Sequence, residues 1–60
     1  MASSLRRCLE GLEERVRKLI VLSYVHGLSH SELAARESVP LGTVKSLIRR
    51  GALALRECLG

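Results

Sequence analysis

Gly11, Gly27 and Pro40 cut this 60-residue chain into four short stretches, and apolar residues recur at helical spacing in each. The spacing predicts a first helix over Ser4 to Glu10, capped by Ser3 or Ser4, with Leu5, Cys8, Leu9 and Leu12 in register. Gly11 breaks it. A second helix is expected from about Glu13 to Val25. Glu13 and Glu14 sit in its first turn, where the helix dipole favours acids. Val16, Leu19, Ile20 and Ser23 form one stripe, which Val21, Leu22 and Val25 widen. Gly27 can take the left-handed backbone that closes a helix. Ser29-His30-Ser31-Glu32 has the form of a capping box, so a short third helix should run from His30 to Arg36 with Leu33 and Ala34 inward. Glu37-Ser38-Val39 reads as a turn. Pro40 suits the first position of a fourth helix, where no amide hydrogen is needed, and that helix is expected to run from Leu41 to about Cys58. The fold class that follows is all-α: a small four-helix domain without a sheet.

A chain of this length makes one domain, residues 1–60, with a modest core. Hydrophobic residues make up 47% of it and Tyr24 is its only aromatic, which excludes a disordered tail and implies a core of aliphatic side chains. Ten Lys and Arg against six Asp and Glu leave a net charge of +4. For so small a domain that suggests an anionic partner, nucleic acid first and an acidic protein face second; a solvated basic surface is the plainer explanation. The apolar run Leu19 to Leu22 is far too short to span a bilayer, and Met1-Ala2-Ser3-Ser4 lacks the regions of a signal peptide. The chain therefore reads as cytoplasmic, with no membrane insertion. Cys8 and Cys58 stand near opposite ends, and in a reducing cytosol they are expected to be buried small hydrophobes, with a disulfide or redox switch as the alternative.

The fourth stretch has two faces. At ~100° per residue, Val44, Ile48, Gly51, Leu55 and Cys58 fall together, while Lys45, Ser46, Arg49 and, at the edge, Arg50 fall on the other side. Gly51 inside a helix costs roughly 1 kcal/mol relative to Ala, and its place on the inner face suggests that another helix approaches too closely for a side chain. The segment GLSHSELAARESVPLGTVKSLIRR, Gly27 to Arg50, thus supplies a capped helix, a tight turn and a second helix with a basic outer face. A helix-turn-helix, here at about residues 29–50, has this layout. Its first helix lies across the DNA backbone and its second enters the major groove. The free amides of Leu41, Gly42 and Thr43 can bind a phosphate. Gly42 leaves the backbone open, the Thr43 hydroxyl adds a donor, and Lys45 can reach base edges or phosphates. Arg49 or Arg50 can pair bidentately with guanine, and Ser46 is short enough to let the helix sit deep.

An enzyme is not expected. His26 and His30 straddle Gly27 with no third ligand nearby, so a zinc site does not follow. No cysteine is flanked by a convincing base, and no Gly-rich phosphate loop is present. Acid–base pairs such as Glu13 and Arg17 are helix-surface pairs. Neither a cofactor nor a small-molecule substrate is implied.

The residues from Leu5 to Leu59 resemble region 4 of bacterial extracytoplasmic-function (ECF) sigma factors. VPLGTVKS, Val39 to Ser46, is similar to that family's turn and recognition-helix start; YVHGLSHSELA before it, IRRGALALREC after it and RRCLEGL near the start are similar to its flanks. The resemblance implies binding to the promoter element near minus thirty-five, contact with the beta flap of RNA polymerase, and masking by an anti-sigma factor. It implies that Thr43, Lys45, Ser46, Arg49 and Arg50 face DNA, with His30 and Ser31 near the backbone. It also implies a domain dissected from a longer sigma factor, since nothing here resembles region 2. The chain departs from the family pattern at Glu14, where Pro is frequent, at Glu37, where an apolar residue is common, and at Ser38, where Gly usually makes the turn. Leu47 is more apolar than the groove-side Arg often found there.

Two other functions fit parts of the pattern. The output domain of a two-component response regulator shares the GLSxxELA and TVK elements, although PLG before TVKS and IRR after it favour sigma. A domain acting mainly through an anti-sigma factor would use apolar residues beside the cationic face: Leu53, towards the outer side of the fourth helix, and Leu47, near its edge. The plainer alternative packs both under the first helix.

Overall fold

Each breaker in the sequence coincides with an interruption in helix. The computed structural model describes the backbone of residues 2–60 and the side chains from Ser4 onward. It contains α1 (Ala2–Glu10), α2 (Glu14–Tyr24), α3 (His30–Glu37) and α4 (Leu41–Leu59), and no strand among the described residues. The all-α, four-helix expectation holds. Three boundaries differ in detail. Ser4 lies inside α1 rather than at its cap, and the side chain of Ser3 lies outside the described residues. Glu37 closes α3 instead of opening the turn. Pro40 is the N-cap of α4, with extended backbone (φ −57°, ψ 143°), one position before the helix that its fixed φ was expected to start.

The link between α3 and α4 is short because Ser38 turns sharply. It adopts left-handed backbone (φ 55°, ψ 45°) and its amide donates to the Ala34 carbonyl, as does that of Val39 at 3.0 Å. Ser38 therefore takes a backbone conformation that ordinarily favours glycine, at a steric cost of about 1–2 kcal/mol. Gly27 takes the left-handed conformation expected of it (φ 71°).

α4 packs against all three other helices and carries the domain. The core is aliphatic: Val16, Leu19 and Ile20 from α2, Leu33 from α3, Val44 and Ile48 from α4. Leu9, Leu12, Leu28, Ala34, Val39, Leu47 and Leu55 pack around it. Val25, expected to widen the inner face of α2, is 73% exposed: it is the C-cap of α2, still helical in backbone, and borders an open apolar groove between α1, α2 and α4. Gly51 fulfils its expectation: a Cβ there would lie 2.6 Å from Val16 Cγ1 and 3.1 Å from two Ile20 carbons, so α2 rests directly on the α4 backbone.

The expectation that Cys8 and Cys58 act as separate buried hydrophobes is overturned. They form a disulfide, with Cα atoms 5.8 Å apart across a sequence separation of 50. Cys8 is buried and Cys58 exposed. The packing of α1 against α4 brings residues from opposite ends of the chain within bonding reach. Closing a loop of that length contributes on the order of 4 kcal/mol in the chain-entropy picture.

Candidate nucleic-acid interface

The two helices flanking Ser38 are fixed from the sequence upward. At the start of α3 the Ser29 hydroxyl accepts from the Glu32 amide at 3.1 Å, and the Ser29 amide donates to Glu32 Oε1 at 2.8 Å. The capping box is complete. The hydrogen bond from the Ser29 amide, and secondarily that with its hydroxyl, hold the Glu32 carboxyl below its ordinary range. Glu37 is half-buried and pairs with Lys18 of α2 at 3.1 Å and with Arg36 at 3.6 Å. That cross-helix pair gives its carboxylate a partner and ties α3 to α2.

α4 begins at Leu41 with no side-chain cap. Val44 makes the first bond back, to the Pro40 carbonyl at 3.0 Å, so the amides of Leu41, Gly42 and Thr43 precede the helical ladder. Gly42 has nothing within 4 Å of where a Cβ would stand, which leaves its backbone open. Thr43 is half-buried, and Leu41 is exposed.

Lys45, Ser46 and Arg49 stand exposed on consecutive turns of α4 and share a cleft with Gly42, Ile48, His30 of α3 and Tyr24 of α2. No carboxylate lines it. Five expected site residues are thus brought together: His30, Gly42, Lys45, Ser46 and Arg49. Four others stand apart from the cleft, among them Leu41 and Thr43 in the first turn of α4. Ser31 is exposed in the first turn of α3, and Arg50 is exposed but lines a separate depression with Gly11, Leu12, Glu13 and Ala54. Arg50 faces the α1–α2 turn because one residue rotates a helix by ~100°, and the packing of α2 decides which side of α4 each cation joins. Leu47 is half-buried against the core, whereas Leu53 is 53% exposed.

Two surface features went unread in the sequence. Tyr24 lines the cationic cleft from outside the helix-turn-helix. An apolar groove between α1, the end of α2 and α4 is lined by Leu5, Leu9, Val21, Val25, Leu55 and Leu59, among others. The signal for both was available in Tyr24 and Val25, two large side chains in succession at the end of α2.

A capped helix, a tight turn and a second helix that presents cations in a cleft free of acids define a helix-turn-helix domain. The chain belongs to the sigma-70 region 4 family, whose model matches residues 2–55. It is 43% identical over 53 residues to the ECF RNA polymerase sigma factor SigK of Mycolicibacterium vanbaalenii, covering 88% of this chain and 27% of that protein. It is 40% identical over 52 residues to SigK of Mycobacterium ulcerans, covering 87% and 28%. With the ECF sigma factor SigE of Mycolicibacterium smegmatis it shares 39% identity over 59 residues, covering 98% and 23%. The chain spans about a quarter of the length of these curated relatives. No helix among the described residues is long and apolar enough to cross a membrane.

Proposed function

We propose that this domain binds the minus-thirty-five promoter element as region 4 of an ECF sigma factor and so supports transcription initiation by RNA polymerase in the cytoplasm. The observation that carries this reading is the acid-free cleft in which Lys45, Ser46 and Arg49 of α4 meet His30 of α3. α4 enters the major groove by its N-terminal end. Lys45, Ser46 and Arg49 meet base edges or phosphates, and the amides of Leu41, Gly42 and Thr43 hold a phosphate. His30 and Ser31, at the start of α3, lie along the backbone. Arg50 contributes to the field of the interface more than to base reading, since it faces away from the cleft. The domain is a piece of a longer sigma factor, and its further partners are the polymerase core, through the beta flap, and an anti-sigma factor that Leu53 and the edge of Leu47 help to bind. Leu53 supports that last contact because it is an exposed apolar side chain on the helix that carries the cations.

The test is selection of duplexes from a random pool, followed by affinity measurements across salt. One short sequence should be enriched, and log affinity should fall linearly with log salt as released counterions require. A two-fold symmetric site bound by a dimer would favour the response-regulator alternative instead. Absence of any enrichment, with the fold intact, would overturn DNA reading by this domain.

A further inference from the structure

Tyr24 is the only aromatic residue of the chain and the last residue of α2, and it is 68% exposed. It lies outside the helix-turn-helix, yet it lines the cleft with His30, Gly42, Lys45, Ser46 and Arg49. Among the described residues no hydrogen bond engages its hydroxyl. The other polar side chains of that cleft are cations, a histidine and a hydroxyl, so an anion is the occupant its chemistry accepts. A phenol offers one strong donor on a stiff ring, and tyrosine is among the side chains that bond phosphate oxygens in DNA complexes.

We infer that Tyr24 is a DNA-backbone contact: its hydroxyl donates to a phosphate on the wall of the groove that α4 enters. The assignment rests on the DNA-binding reading above and extends the interface from α3 and α4 onto α2. With α4 in the major groove, the residues across the cleft from it face the sugar–phosphate wall, not base edges. Tyr24 therefore adds affinity without sequence preference. Because the bond is made by a neutral donor, it releases no counterion and leaves the salt slope unaltered, which separates it from a lysine contact.

Tyr24→Phe removes only the hydroxyl and keeps the ring against Val21, Val25 and the rest of the apolar groove. The variant is assayed beside Lys45→Ala and the parent chain, on the selected duplex and on a random duplex, each across salt. The expected result is a three- to tenfold loss of affinity for Tyr24→Phe, alike on both duplexes, with unchanged salt slope and unchanged circular dichroism. Tyrosine emission of the parent reports on this residue alone and should change on titration with either duplex. Unchanged affinity in Tyr24→Phe, with Lys45→Ala weakened, overturns the role of Tyr24 and leaves the DNA reading standing. A loss confined to the selected duplex makes Tyr24 a base reader and also overturns it. If the folded parent enriches no sequence and binds neither duplex, the DNA reading falls and this inference with it.

Discussion

Gly51→Ala should destabilise the domain, although it replaces the poorer helix former with the best. The intrinsic gain is about 1 kcal/mol. Against it stands the new methyl, which would lie 2.6 Å from Val16 Cγ1 and 3.1 Å from Ile20 Cδ1 and Cγ1. Carbon pairs rest at about 3.5–4.0 Å, so α2 must lift or Val16 must rotate. Neither is easy: Val16 is β-branched and stiff about χ1, and both it and Ile20 are buried in the core. Overpacking of this kind costs about 1–3 kcal/mol, which leaves a net loss of about 1 kcal/mol and at most about 2. In a domain this small, 1 kcal/mol moves the melting midpoint by roughly 8 °C. Thermal melts followed by circular dichroism would measure it, with Gly42→Ala as the control on the same helix. Gly42 has open space around it, and its replacement should not lower the midpoint. The Val16→Ala/Gly51→Ala pair should be more stable than the sum of its singles by about 0.5–3 kcal/mol, because the first removes what the second strikes. A Gly51→Ala variant that melts higher than the parent refutes the close approach of α2 and α4.

Ser38→Gly should raise stability by up to about 1 kcal/mol in the same melts, since glycine takes the left-handed backbone without the Cβ penalty; a lower midpoint would contradict the strain assigned to Ser38. Glu32 has a carboxyl pKa held below its ordinary value of 4.5, so its stabilising contribution is fully present above that value and lost as pH falls through the lower, folded one. Glu32→Gln should flatten the acid side of the stability–pH curve, and an unchanged acid limb would remove the capping box from the account of it. Cys58→Ala opens the disulfide without hollowing the core, as Cys58 itself is exposed, and should lower the midpoint by roughly 30 °C for a loss of about 4 kcal/mol; a change of less than about 5 °C would show that α1 is held by its packing alone.

What was legible in the sequence was local. The Ser29–Glu32 box, the turn at Gly27 and the inner face of α4 from Val44 to Leu55 depend on residues within a few positions of one another, and the structure has them as the spacing implies. Gly51 was legible as well, because a glycine on the inner face of an otherwise sound helix has few other uses. The features that escaped depend on which helix meets which. Cys8 and Cys58 are bonded because α1 packs on the far end of α4, a pairing that no spacing encodes. Glu37 finds Lys18 only once α3 lies against α2. Arg49 and Arg50 are neighbours in sequence and both exposed, yet α2 and the α1–α2 turn assign them to different depressions. Tyr24 joins the cleft for the same reason, from a helix outside the motif.

DNA reading by α4 is tested most directly at Arg49, the arginine that shares the cleft with Lys45. Affinities of the parent and Arg49→Ala are measured on the selected duplex and on random duplex at one salt concentration. Loss of a base-reading arginine should cost about 1–3 kcal/mol on the selected sequence and much less on the random one. Equal affinity of parent and variant for the selected duplex, with the helical fold retained, would contradict α4 as the recognition helix.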